Sequence, residues 1–201
     1  MNIINFFKKI YLYCVLSIFC IIFALIIFYI NSITYPIINN FENKTKLNSF
    51  KEIIKDPENI NFENIANNYL DKNSIIKEIY FGKGKYNNKI YYVLYIVSIN
   101  GYSENIDYIL TINKYDNTIE NLKILKQNET PGLGANCINK DFQEKYKNIN
   151  IKNKLSVVKN NAKKENNEID AISSSTITTE AITKGVNIAI DHYNKNFKSL
   201  K

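Results

Sequence analysis

Ile90-Tyr-Tyr-Val-Leu-Tyr-Ile-Val-Ser-Ile99 decides how this chain is read. Every residue but Ser98 is β-branched, aromatic or Leu, and none is Gly, Pro or charged. Such a run predicts a central β-strand. Asn100-Gly101 follows it as a hairpin-type turn signal. Beyond that turn, Ile106–Ile112 and Thr118–Leu125 read as two more strands, joined across Asp116-Asn117. Upstream, Ile75–Phe81 reads as another, with Gly82-Lys-Gly84 and Asn87-Asn88 marking the turn back to Ile90. Four strands between about 74 and 127, joined by short turns, predict an antiparallel meander.

The remaining soluble sequence is mixed. Asp141–Tyr146 reads as a short helix, Leu155–Val158 as a strand and Lys159–Glu168 as a charged loop. From Thr178 to about Phe197 the pattern is helical. Ile182, Val186, Ala189, Ile190, Tyr193 and Phe197 recur at intervals of three and four, forming one face to pack on the sheet. The expected class is α+β.

Ile10–Ile30 carries no charge over roughly 21 residues, enough to cross a hydrocarbon core of about 30 Å. Lys8 and Lys9 precede it and the next Lys is Lys44, an asymmetry that predicts a cytoplasmic N-terminus. Tyr11, Tyr13, Tyr29 and Tyr35 stand near its ends, as interfacial aromatics do. The run is longer than a usual signal-peptide core. Asn31-Ser-Ile-Thr-Tyr-Pro36 offers no small-x-small cleavage site, so an uncleaved single-pass anchor is expected. After it, Leu47, Phe50, Ile53 and Ile54 form one short helical stripe. Ile60, Phe62, Ile65 and Leu70 form a second, with Pro57 between them.

All 26 basic residues are Lys, against 19 acidic ones, for a net charge of +7. The lysines are scattered, and Arg, the better fork for phosphate and guanine, is absent; nucleic acid is not the expected partner. Of three cysteines, Cys14 and Cys20 lie in the apolar run. Cys137 and the single His192 leave no metal-ligand spacing.

Two loops carry the chemistry. Asp170-Ala-Ile-Ser-Ser-Ser-Thr176 ends where the terminal helical pattern begins. Free backbone N–H groups and the helix dipole there suit an anionic group, although the same residues are also ordinary caps, with Thr178 and Thr179 as capping candidates. Glu129-Thr-Pro-Gly-Leu-Gly134 combines a type II turn signal with bare backbone that a ligand can approach closely. Taken alone, it is also a tight connection without a ligand.

Together the loops resemble a known family. Glu129–Gly134 is similar to the signature loop of the membrane-anchored FMN-binding subunits. These are the G subunit of the Rnf electron-transport complex and the related C subunit of the sodium-pumping quinone reductase. Asp170–Thr176 resembles their flavinylation motif, Asp-x-x-Ser/Thr-Gly-Ala-Thr, and Gly101-Tyr-Ser103 with Ile106 resembles their Gly-Tyr-Ser-Gly-x-Ile segment. This chain departs at Ser174 and Ser175 (Gly and Ala in the family), at Glu104 (Gly), and at Lys126-Gln-Asn128 (often His-Lys).

The resemblance implies FMN joined through a phosphoester to Thr176 by a dedicated flavin transferase, with Asp170 helping to dock the motif. It places Ser173, Ser174 and Ser175 around the linkage. Glu129, Thr130, Gly132, Leu133 and Gly134 would lie against the flavin, with Leu133 on a ring face and Glu129 bonding to it or tuning its potential. It implies an electron carrier without turnover of its own, relaying electrons among the membrane subunits of an ion-translocating ferredoxin:NAD oxidoreductase. The expected layout is a cytoplasmic stretch 1–9, a lipid-embedded helix 10–31, a juxtamembrane helical region 32–72 and an extracytoplasmic FMN-binding domain 73–201. An FMN module of another flavin-based reductase, or a flavin-free anchored scaffold, would show the same order of parts.

Overall fold

A computed structural model describes residues 3–54, 57–65, 69–70 and 74–200. Two compact units divide between Asn48 and Ser49. Helix α1 (Ile3–Ile53) runs through the first and its last residues belong to the second; within the first it contains a candidate membrane span, Tyr13–Ile38, by length and composition, none of it buried. Pro36 lies inside this helix, beyond the expected end of the apolar run.

The second unit is built on a five-stranded antiparallel sheet in sequential order: β1 (Ile60–Asn64), β2 (Ile76–Gly84), β3 (Ile90–Asn100), β4 (Asn105–Asn113) and β5 (Thr118–Lys126). The expected meander is present as β2–β5. β1 corrects the sequence reading, which put Ile60, Phe62, Ile65 and Leu70 on a helix. Ile60 and Phe62 are instead in a strand paired with Gly84 and Gly82. Helical backbone of the juxtamembrane stretch ends at Ile53, apart from a 3₁₀ turn at Pro57–Asn59. The expected boundary at 72/73 lies outside the described residues. Gly82 and Gly84 also differ from expectation: both are inside β2, and the turn itself uses Asn88 at φ 54°.

β3 reads as an unbroken apolar run because both its faces are covered. Val93, Tyr95, Val97 and Ile99 face the larger core, and Tyr92, Leu94 and Ile96 the smaller. Phe50, Ile53 and Ile54 close the smaller core, where Phe50 stacks against Phe62 and Tyr80 at centroid distances of 5.2 and 4.9 Å. The larger core is closed by α3 (Thr176–Asn196), and all six residues of its expected apolar stripe are buried. Gly185 lets α3 come close: a Cβ there would stand 2.3 Å from the Tyr108 hydroxyl. That hydroxyl donates to the Ile182 carbonyl at 3.0 Å, tying helix to sheet.

Between β5 and α3 come a 3₁₀ turn (Gly134–Ile138), α2 (Lys140–Glu144), and the parallel pair β6 (Ser156–Val158) and β7 (Glu168–Asp170). This small pair delivers the chain to the Ser/Thr loop immediately before α3.

Candidate functional site

The loop from Asp170 to Ser175 turns tightly, with the Ser175 N–H donating to the Ile172 carbonyl at 2.9 Å. Ser174 holds the left-handed conformation, φ 60°, that the turn requires. Helix α3 starts at Thr176, with Ser175 at the N-cap, so the capping role expected of Thr178 and Thr179 is corrected. Both are buried in the first turn. Thr179 Oγ1 accepts from the Ile172 N–H at 3.0 Å and donates to the Ser175 carbonyl at 3.3 Å, bracing the loop from within.

Thr178 turns toward Glu129. Its hydroxyl donates to Glu129 Oε2 at 2.5 Å, and its oxygen pairs with Ser175 Oγ at 2.8 Å. Glu129 Oε1 accepts from the backbone N–H groups of Tyr102 and Ser103, at 3.0 and 2.9 Å. Glu129 is only 5 % exposed, a burial that three donors make tolerable. Glu129, where the resemblance implies contact with the flavin, lines the cleft and is also a junction between segments. Two glycines make room for it. A Cβ on Gly101 would lie 2.6 Å from Oε1, and one on Gly134 2.5 Å from Oε2. Gly101, expected as a turn signal and as part of the Gly-Tyr-Ser segment, serves this carboxylate by its lack of a side chain.

Three segments, 101–103, 129–134 and 174–177, therefore surround one cleft of about 440 Å³. Of the residues the two motifs mark, Glu129, Thr130, Leu133, Gly134, Ser174, Ser175 and Thr176 line it. Tyr102, marked in the sequence only within the Gly101–Ser103 segment, and Ile177, which no motif marks, line it too. Tyr102 is 70 % exposed and Ile177 54 %, so with Leu133 they form an apolar rim around the polar floor. The signal for Ile177 was available: a large apolar residue off the buried stripe of α3.

Three expected residues do not line the cleft. Gly132 forms the turn, at φ 77° with open space about its Cβ position. Ser173 is exposed beside the loop. Asp170 ends β7, where its Oδ1 accepts from the Ala162 N–H at 2.8 Å and its carbonyl accepts from Lys145 Nζ at 3.1 Å. Its carboxylate braces the preceding loop. A larger cleft, about 510 Å³ beside Lys85, Tyr86 and Tyr91, includes none of the expected residues.

Two departures from the family pattern meet each other. Asn128 Nδ2 donates to Glu104 Oε2 at 2.8 Å, adding a tie between the 101–104 turn and the Glu129 loop. Gln127 Oε1 accepts the Glu129 N–H at 2.7 Å. Behind the loop, burial and then the charge of Glu129 push the Cys137 thiol up to about 11, so it stays a thiol at neutral pH. No cluster of metal-ligating residues occurs among the described residues.

Comparison with known proteins gives a consistent result. Residues 101–191 match the model of the FMN-binding domain. The G subunit of the Na⁺-translocating ferredoxin:NAD⁺ oxidoreductase complex of Acetobacterium woodii is 36% identical over 124 residues, 62% of this chain and 58% of that protein. The match thus spans under two thirds of that protein's length. The G subunit of the proton-translocating complex of Clostridium ljungdahlii is 29% identical over 88% of this chain and 86% of its own. Among solved structures, the C subunit of the Na⁺-translocating NADH-quinone reductase of Parabacteroides distasonis superposes with a TM-score of 0.51. It is 21% identical and covers 62% of this chain and 64% of that one. NqrC of Shewanella oneidensis gives 0.50 at 18% identity, over 72% of each chain. At these identities the two structures speak to fold alone.

Proposed function

We propose, from the premise that residues 101–191 match the FMN-binding domain, that this chain is a membrane-anchored flavoprotein subunit. It carries FMN on Thr176 and relays electrons within an ion-translocating ferredoxin:NAD⁺ oxidoreductase. What carries the reading is that Thr176 and the Glu129–Gly134 loop line one cleft at the start of a 21-residue helix. The cleft's chemistry fits the group. A flat ring system needs apolar walls, which Tyr102, Leu133 and Ile177 supply. A phosphodiester needs donors and a positive potential, which the opening N–H groups of α3 supply. When bound, FMN supplies one-electron redox chemistry.

Among the four consecutive hydroxyls, Thr176 suits attachment best. Ser173 is outside the cleft, and Ser175 is engaged with Thr178. In attachment by a flavin transferase, Thr176 Oγ1 forms a bond to the riboflavin-side phosphorus of FAD. The pyrophosphate bond breaks, AMP leaves, and the hydroxyl proton passes to a base of the transferase. Thr176 would then fix one end of the cofactor, the α3 N-terminus would balance its charge, and Tyr102, Leu133 and Ile177 would supply apolar contact to its ring. Lys8 and Lys9 ahead of the apolar run support a cytoplasmic N-terminus and an extracytoplasmic cleft, with the other complex subunits as partners in the membrane.

The test is expression of the full chain with and without a flavin transferase, followed by a denaturing gel viewed for flavin fluorescence. A fluorescent band is expected only with the transferase, lost in Thr176→Ala and kept in Ser173→Ala. A dark native chain overturns the reading.

A further inference from the structure

We propose that Glu129 is the positioning residue of the cleft: acting through the Thr178 hydroxyl, it fixes the loop that presents Thr176. The functional part of this inference rests on the reading that Thr176 takes the flavin. The structural part does not.

Three segments distant in sequence meet at this one carboxylate. Oε1 takes the N–H groups of Tyr102 and Ser103, which aim the aromatic wall of the cleft. Oε2 takes the hydroxyl of Thr178, one residue past Ile177 of the apolar rim and two past Thr176. A hydroxyl has a single proton. Thr178 commits it to Glu129, so its oxygen must accept the proton of Ser175. The chain therefore runs in one direction, Ser175 to Thr178 to Glu129. It begins at the N-cap beside Thr176 and ends on a group that accepts at both oxygens.

Direction is what a carboxylate adds here. A Gln at 129 still offers one oxygen to Tyr102 and Ser103, but it sets an N–H₂ donor against Thr178. Thr178 must then accept from that amide, its own proton turns back to Ser175 Oγ, and the chain loses both its direction and its charged end. The space for the carboxylate is built in, since Gly101 and Gly134 each leave out a Cβ that would collide with one of its oxygens. The second brace, Thr179 on the Ile172 N–H, does not pass through Glu129. Breaking the Glu129 link should thus loosen residues 174–177 locally while the sheet holds.

The experiment uses the full chain in detergent, with three variants: Glu129→Gln, Thr178→Val and Thr178→Ser. Val matches the shape of Thr without its hydroxyl, and Ser keeps the hydroxyl. Two quantities are read: amide hydrogen exchange, and the rate of flavin attachment by transferase and FAD at varied chain concentration. In Thr178→Val and Glu129→Gln, exchange within 174–177, read at the Ser175 amide that the Ile172 carbonyl holds, should rise about tenfold, the scale set by losing one hydrogen bond to a charged group. Exchange in Val93–Val97 should stay unchanged. Attachment should slow about tenfold through kcat with KM little altered, because the presented geometry, not docking, is lost. Thr178→Ser should restore both readouts, and the Glu129→Gln/Thr178→Val double variant should be no worse than either single one.

Unchanged exchange at 174–177 in Thr178→Val overturns the inference. So does full-rate attachment in that variant, or failure of Thr178→Ser to rescue. If the native chain takes no flavin while the exchange pattern is as expected, the positioning role stands and the flavin reading falls.

Discussion

The two loops of the cleft solve one problem with different residues. Both need a left-handed backbone position. The Glu129–Gly134 loop puts Gly132 there, at φ 77°, where it carries no Cβ penalty. The Asp170–Thr176 loop puts Ser174 there, at φ 60°. Among the described residues, every other non-glycine at positive φ is Asn, the side chain best suited to that region; Ser174 alone is not. The same shape is thus reached freely in one loop and under strain in the other. Strain at a residue that lines a cleft persists only where the surroundings hold it. Here Thr178, Thr179 and Ser175 do so, through a buried carboxylate and a backbone amide. The loop that lacks glycine is the one tied down by hydroxyls.

The largest effect expected from breaking this pairing is chemical. Thr176→Ala should abolish flavin attachment while leaving the denaturant midpoint nearly unmoved, since only one half-buried side chain at the helix start is trimmed. Gel fluorescence and urea unfolding check the two halves of that statement. Next is Gly134→Ala. Its Cβ would lie 2.5 Å from Glu129 Oε2 and 2.6 Å from Thr178 Oγ1, so the junction must shift or lose its bonds. Overpacking of this kind costs about 2–3 kcal/mol, and urea unfolding should show it with an unchanged slope. Gly132→Ala, two residues away, meets no atom within 4 Å. It should cost only the left-handed penalty, about 1 kcal/mol. Equal losses at the two positions would mean that Gly134 serves conformation and not the space around Glu129.

How much of this was legible in the sequence depends on how local its cause is. Strands β2–β5 and the buried stripe of α3 follow from side-chain type and spacing, which one segment carries by itself. β1 is not legible from spacing alone, because Ile60 and Phe62 stand at strand spacing while Ile65 follows Phe62 at a helical interval; pairing with β2 decides the matter. The two loops could be found by motif, but their junction could not. Gly101, Tyr102 and Thr178 acquire their roles only when the fold brings them to Glu129, and no period or propensity encodes that meeting. Departures from the motif were legible as departures only. That Glu104 and Asn128 bond to each other, and that Ser175 feeds Thr178, required the folded chain.

The smallest expected effect sharpens the comparison most, because its sign is opposite. Ser174→Gly gives the second loop the residue the first already has. Relief of the left-handed conformation is worth about 1–2 kcal/mol, and the added freedom of glycine in the unfolded chain takes back about 0.5–1 kcal/mol. The variant should therefore gain about 0.5–1 kcal/mol, measured as a higher urea midpoint with the slope retained. Flavin attachment should proceed at least as fast as in the native chain, because the turn keeps its φ and Thr176 keeps its place. A loss of stability would show that the Ser174 side chain makes a compensating contribution that its conformation conceals. Slower attachment in a more stable protein would show that the strain itself helps to present Thr176, and the two loops would then differ in function as well as in cost.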